Sequence, residues 1–231
     1  MININDLPDP IINYDFEKVY APSDDTYLII DYFKKHIDYD NFDGINIKEI
    51  KRVLDIGTGS GIIAIFFQII KTYNPNFNPE IYASDILEEA IKCAKLNERE
   101  NNFEGEIKFI KSNLFKSFQV NLKKSFNIVV FNPPYLPSSK LIEMRETKLN
   151  VDFSWDGGLK GYNLFLDFID GVKEFLNIEK KNYIYFLSSS RTDLFELNKS
   201  IIKKGFNIKV LVKKHIFFED IILNRLELSK I

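Results

Sequence analysis

The chain has 231 residues, 31 Lys+Arg against 33 Asp+Glu for a formal charge of −2, and 45% hydrophobic and 28% charged residues. That is enough for one α/β domain with its own core, and it excludes a global basic field able to hold a nucleic acid. A single cysteine excludes an internal disulfide and a zinc cluster built from this chain alone, so no metal is expected.

The opening "MININDLPDP" lacks the basic-then-apolar pattern of a signal segment. The longest apolar run, "IIAIFF", is far shorter than the ~20 residues that cross a bilayer. A cytoplasmic chain without membrane contact is the expectation. The first fifty residues contain one predicted helix, Asp24 to Ile37, with Ser23 as N-cap and aspartates at the positive helix end. Short apolar runs then alternate with amphipathic segments, the pattern of a mostly parallel sheet covered on both faces. Arg52 to Ile56 reads as the first strand and Ile62 to Tyr73 as its helix. "EIYASD", ending at Asp85, is the second strand, followed by a helix from Leu87 to about Glu100, where Cys93 is expected as a packed thiol. "EIKFIKSN" and "FNIVVFN" are the third and fourth strands. A connection of about 25 residues runs from Tyr135 to Gly161, far beyond an ordinary βα loop. A helix from about Leu164 to Leu176 leads to the strand "NYIYFLSS". A helix from Asp193 to Lys204 precedes "FNIKVLVKK" and "FFEDIILNRLEL", a terminal antiparallel pair. Lys199, Lys203, Lys204, Lys209, Lys213 and Lys214 read as solvated faces and edges.

"LDIGTGSGIIAI" is a strand, a glycine turn and a helix start. Gly57, Gly59 and Gly61 leave room for a ligand beside N–H groups of the helix N-terminus. The spacing is G-x-G-x-G rather than the dinucleotide G-x-G-x-x-G. Asp55, just before the turn, repels a pyrophosphate but suits an ammonium. A ligand with a nucleoside end and a cationic end follows, and S-adenosylmethionine (AdoMet) fits. Asp85 at the tip of the second strand can accept both ribose hydroxyls. At the third tip, Asn113 can accept from the adenine amino group while the Leu114 N–H donates to the ring. At the fourth tip, "FNPPY" is a stiff corner, because Pro133 and Pro134 cannot continue a sheet. The Asn132 side-chain oxygen and the Pro133 carbonyl can grip both hydrogens of a planar amino group and aim its nitrogen at a methyl. Tyr135 can stack on the flat group. Catalysis of this kind is mostly positioning.

In that order, "DIGTGSG", "SD" and "NPPY" resemble class I AdoMet-dependent methyltransferases that modify amino groups. "VYAPSDDTYLI" (Val19 to Ile30) and "WDGGLKGY" (Trp155 to Tyr162) further resemble the HemK family of protein-(glutamine-N5) methyltransferases, in its short archaeal and eukaryotic branch. The resemblance implies a Rossmann-like, seven-stranded, mostly parallel sheet with helices on both faces and the terminal antiparallel pair. It implies one methyltransferase domain over 1–231, with 1–50 packing over the cofactor site and 136–160 as a substrate loop. Thr26 would then reach the AdoMet carboxylate, and Asp55 and Gly57 its amine. Asp25 and Trp155 would border the substrate, beside the clamp of Asn132, Pro133, Pro134 and Tyr135. Where the family commonly has aspartate, this chain has Asn113, which keeps the acceptor and loses the charge. The implied substrate is the Gly-Gly-Gln loop of a class 1 release factor, and the implied partner a small zinc-binding activator protein. A nucleic-acid amino-methyltransferase (adenine N6 or guanine N2) and a protein lysine methyltransferase are the alternatives. The same clamp serves a flipped base, but the acidic balance and lack of a basic recognition domain disfavour nucleic acid.

Overall fold

Strand residues alternate between two cores. Val53, Ile81, Ile128, Val130 and Tyr185 face one, while Leu54, Tyr82, Val129, Phe131 and Phe186 face the other. Such a sheet has no solvated face, so its strands read as continuous apolar runs. The computed structural model describes residues 7–15, 18–134, 162–216 and 218–229. Its strands are β1 (Asn41–Phe42), β2 (Ile45–Asn46), β3 (Arg52–Ile56), β4 (Glu80–Asp85), β5 (Ile107–Lys111), β6 (Ile128–Phe131), β7 (Tyr183–Ser189), β8 (Phe206–Ile216) and β9 (Glu219–Leu228). Its helices are α1 (Asp24–His36), α2 (Ile62–Tyr73), α3 (Glu88–Glu100), α4 (Asn163–Val172) and α5 (Leu194–Lys203).

β5-β4-β3-β6-β7-β9-β8 is the order of the seven-stranded sheet. Strands β3 to β7 run parallel, and β9 pairs antiparallel with both β7 and β8. The chain order reverses beside β3, where β4 lies on one side and β6 on the other, and open α/β sheets place ligands at such a switch. Helices α1 and α2 cover one face, whose core includes Phe33, Phe42, Phe67, Phe77 and Tyr185. Rings in that cluster meet at 5.1 Å (Phe33–Phe42) and 5.4 Å (Phe33–Phe67), distances typical of favourable aromatic pairs. Helices α4 and α5 cover the other face through Phe165, Phe168, Leu197 and Ile201.

The sheet, its terminal antiparallel pair and the helices on both faces agree with the expected architecture, with local differences. Ser23 occupies the N-cap position of α1, but its hydroxyl makes no cap bond and donates instead to Asp25 Oδ1 at 2.7 Å. Helix α4 stops at Val172 rather than Leu176, since Leu176 bridges Phe126 and the Asn177 N–H donates to the Phe126 carbonyl. The hairpin β1–β2 was not expected from the sequence. Cys93 is half-buried, its thiol on the Asn13 carbonyl at 3.3 Å. Among the described residues no helix is long and apolar enough to cross a membrane.

Candidate active site

A cavity of about 530 Å³ opens at the C-terminal tips of β3, β4, β5 and β6, a size suited to one cofactor-sized ligand. After β3 the chain turns through Gly57 and Gly59, with φ of +66° and +54°. Gly61, at φ +85°, begins α2. The Thr58 N–H donates to the Ser84 carbonyl (3.0 Å), binding the turn to the tip of β4.

Asp85 joins two backbone donors. Its Oδ2 accepts from the Gly59 N–H at 3.0 Å and its Oδ1 from the Leu87 N–H at 2.9 Å. Burial raises its pKa, opposed by the backbone N–H groups of Leu87, Gly59 and Ile86. At the end of β5, Ser112 bonds the Asp85 carbonyl through its N–H (2.8 Å), and Asn113 and Leu114 follow at the cavity wall. Leu114 takes a left-handed φ of +50°, turning the chain there.

Asn132 follows β6 and is half-buried, with Pro133 and Pro134 buried behind it. Its Nδ2 donates to Asp25 Oδ2 at 3.2 Å and to Thr26 Oγ1 at 3.3 Å. Its Oδ1 is buried and has no partner among the described residues. An unpartnered buried acceptor is costly, and one beside a ligand-sized cavity is a natural site for a donor supplied by a bound molecule.

The structure therefore brings Asp25, Thr26, Gly57, Gly59, Asp85, Asn113, Leu114, Asn132, Pro133 and Pro134 around one space. Asp55 lies elsewhere. It is 1% exposed, accepts from Thr58 Oγ1 at 2.6 Å and does not line the cavity. Its position is under the glycine turn rather than in the ligand space, because β3 alternation points it inward. Burial pushes its pKa to about 7, against hydrogen bonds from Thr58 and the Ala64 backbone, with Asp85 adding repulsion. Gly61 is also not a cavity residue: its missing Cβ leaves room for Ala94 of α3. Tyr135, Trp155 and the 136–160 segment lie outside the described residues.

Tyr20, Leu164 and Glu219 are among the wall residues that escaped the sequence reading. Tyr20 bonds Ser23 Oγ at 2.9 Å and Asp25 Oδ2 at 3.4 Å, and burial with the Asp25 charge raises its pKa to about 12. Leu164 and Glu219 come from α4 and β9; the Ser189 hydroxyl donates to Glu219. Tyr20 lies inside the "VYAPSDDTYLI" segment, a signal that could have found it. Glu219 reaches the site through strand order alone.

The residues fit AdoMet. An acid at the second strand tip, polar groups at the third, a glycine turn and a helix N-terminus surround a cavity of suitable size. Fold and cavity together define a class I AdoMet-dependent methyltransferase. Residues 41–147 match the family described as "Methyltransferase small domain". A Methanocaldococcus jannaschii chain named as a protein N5-glutamine methyltransferase is 31% identical over 206 residues, covering 89% of this chain and 90% of the relative. The Schizosaccharomyces pombe eRF1 methyltransferase catalytic subunit mtq2 is 26% identical over 208 residues, covering 87% and 85%. The chain belongs to the protein N5-glutamine methyltransferase family. Its fold also matches that of the E. cuniculi Mtq2–Trm112 complex, described as responsible for the methylation of the eRF1 translation termination factor. There the TM-score is 0.59 at 23% identity, covering 91% of this chain and 99% of that one.

Proposed function

We propose that this enzyme methylates the side-chain amide nitrogen of the glutamine in the Gly-Gly-Gln loop of a class 1 release factor. The observation that carries the reading is the Asn132 carboxamide oxygen, buried and unpartnered at the cavity wall. A primary amide offers two N–H donors and little nucleophilicity, since its lone pair is delocalised. Asn132 Oδ1 accepts one hydrogen and the Pro133 carbonyl the other, which fixes the nitrogen and its direction. Bound AdoMet supplies the electrophilic methyl group. Asp85 holds the ribose, Asn113 and Leu114 the adenine, and Thr26 with Gly57 the methionine end. Asp55 acts at one remove, bracing Thr58 and thereby the turn. Tyr135 and Trp155 complete the substrate side.

The names of the Methanocaldococcus jannaschii and Schizosaccharomyces pombe relatives support a glutamine in a release factor as acceptor. The E. cuniculi complex supports a small partner protein, which we place on the outer edge of β5 as a zinc-binding activator. That strand ends the sheet and leaves Phe109 and Ile110 half-exposed.

The test is transfer of label from AdoMet to the cognate release factor, with and without a candidate activator. Label is expected on the loop glutamine and lost when that residue is changed to Ala. Asn132→Ala is expected to bind AdoMet and to lose turnover by about 10²-fold or more, as for a misplaced reactant. Equal labelling of a loop without glutamine would discard the reading.

A further inference from the structure

An amide clamp works only one way round. Asn132 must present oxygen to the acceptor's N–H groups; with the carboxamide rotated by half a turn, NH₂ would face NH₂ and repel it. The two ends of a carboxamide have nearly the same shape, so packing alone does not choose between them. Something chemical must choose.

The structure contains a chain of bonds with a single consistent direction. Asp25 is 4% exposed. Its Oδ1 accepts from the Thr26 N–H (2.6 Å), the Ser23 hydroxyl (2.7 Å) and the Thr26 hydroxyl (3.1 Å). Because Thr26 Oγ1 gives its one hydrogen to Asp25, it can meet Asn132 only as an acceptor. Asp25 Oδ2, a carboxylate oxygen with no hydrogen to give, is likewise an acceptor, and the Tyr20 hydroxyl lies 3.4 Å from it. Both groups facing the inner end of Asn132 therefore demand donors. The NH₂ end supplies them, at 3.2 and 3.3 Å, and Oδ1 is left at the cavity side.

We propose that Asp25 is a positioning residue whose carboxylate, relayed in part through Thr26, locks the orientation of the Asn132 carboxamide so that its oxygen faces the acceptor amide. Asp25 acts through Asn132 rather than on the substrate, and this role rests on the clamp reading given above. It also explains why α1 begins at the site: the first turn of α1 is held against the tip of β6 by the residues that set the amide.

The experiment uses the full chain, AdoMet and the cognate release factor, with turnover kinetics and AdoMet calorimetry on each variant. Asp25→Ala is expected to lower kcat by about 10- to 100-fold, with KM for the release factor and the AdoMet Kd each within about threefold of the parent. The discriminating variant is a swap. In Asn132→Asp, two carboxylates would confront each other and activity is expected to vanish. In the double variant Asp25→Asn/Asn132→Asp, the amide sits at 25 and donates, and the carboxylate at 132 again offers oxygen to the acceptor. Recovery of at least about tenfold over Asn132→Asp alone is expected, a rescue that a bulk structural role does not give. Thermal melts identify a variant that fails to fold; the swap keeps both polar groups and does not depend on Asp25→Ala surviving. A folded Asp25→Ala with parental kcat, or a double variant no better than Asn132→Asp, overturns the orienting role while leaving the clamp intact. Parental turnover in Asn132→Ala would remove the clamp itself, and this role with it.

Discussion

At Gly61 a Cβ would lie 2.9 Å from Ala94 Cβ and 3.1 Å from Ala94 Cα, on a backbone with φ +85°. Gly61→Ala is therefore expected to cost about 2–4 kcal/mol, adding left-handed strain to overpacking between α2 and α3. Gly59 shares the left-handed backbone, but a Cβ there meets nothing within 4 Å. Gly59→Ala should cost only about 1–2 kcal/mol. Urea unfolding of the two variants checks the ranking, and equal losses would contradict it. Asp55 gives a second residue-level prediction. Its folded pKa of about 7 lies above its ordinary value of 3.8, so the folded state holds this proton more tightly than the unfolded chain. The contribution is fully present below about pH 4 and is lost as pH rises through about 7, at on the order of 1 kcal/mol per pH unit. Asp55→Asn, which cannot titrate, should flatten that part of the stability profile in denaturant melts run between pH 4 and 8.

Among elements, the hairpin β1–β2 is tied to the sheet by a largely buried ion pair. Asp43 and Gly44 form its two-residue turn with φ of +46° and +80°. Asp43 Oδ2 accepts from Arg225 Nη1 at 2.8 Å and from the Tyr185 hydroxyl at 2.7 Å. Arg225 lies over the Tyr183 ring at 3.9 Å, so the hairpin is tied to β7 and β9 together. Both ion-pair side chains are 10% exposed. Removing one partner of such a pair costs about 3–5 kcal/mol, and Tyr185→Phe about 1 kcal/mol. Arg225→Ala combined with Asp43→Asn, which retains the left-handed turn, should lose less than the sum of the singles by about 1 kcal/mol or more. Strict additivity would show that the pair does not pin the hairpin. The same elements show where sequence reading reaches and stops. β3, β4 and α2 have the predicted bounds, because burial on both faces leaves long apolar runs bracketed by polar turns. Asp43-Gly44 is a hairpin signal, but the two-residue strands beside it are too short for alternation to register. Gly57, Gly59, Asp85, Asn113, Leu114 and Asn132 were legible because each ends or follows a strand. The contacts from Asn132 to Asp25 and Thr26 span 107 and 106 residues. Resemblance named Asp25 and Thr26, but their bonds to Asn132 needed coordinates, as did the arrival of Glu219 on β9.

For the molecule as a whole, Asn97 joins the N-terminal segment and the glycine turn to α3 through one side chain. It is fully buried in α3; its Nδ2 donates to the Asn13 and Ser60 carbonyls, each at 2.9 Å, and its Oδ1 accepts from the Asn13 N–H at 2.9 Å. One turn on, Asn101 does the same for Ile11, at 2.9 Å from its N–H and 2.7 Å to its carbonyl. The N-terminal segment is thus laid along α3 before Val19 and Tyr20 cross the cavity, and the glycine turn is held by the same side chain. AdoMet at a hundredfold excess over Kd should stabilise the parent by about 2.7 kcal/mol, the linkage expected for a ligand bound only by the folded state. Asn97→Ala strands the Ser60 carbonyl and removes two of the bonds that hold Asn13, which should cost about 1–3 kcal/mol without ligand. Because the turn walls the cavity and the segment leads to its wall residues Val19 and Tyr20, AdoMet should also bind more weakly to this variant, although Asn97 does not line the cavity itself. Calorimetry measures that coupling directly. Hydrogen exchange should show AdoMet protecting residues 11–15 and 57–61 together in the parent, and only the latter in Asn97→Ala. An unchanged AdoMet Kd in a destabilised Asn97→Ala would confine Asn97 to stability and leave the N-terminal segment energetically separate from the site.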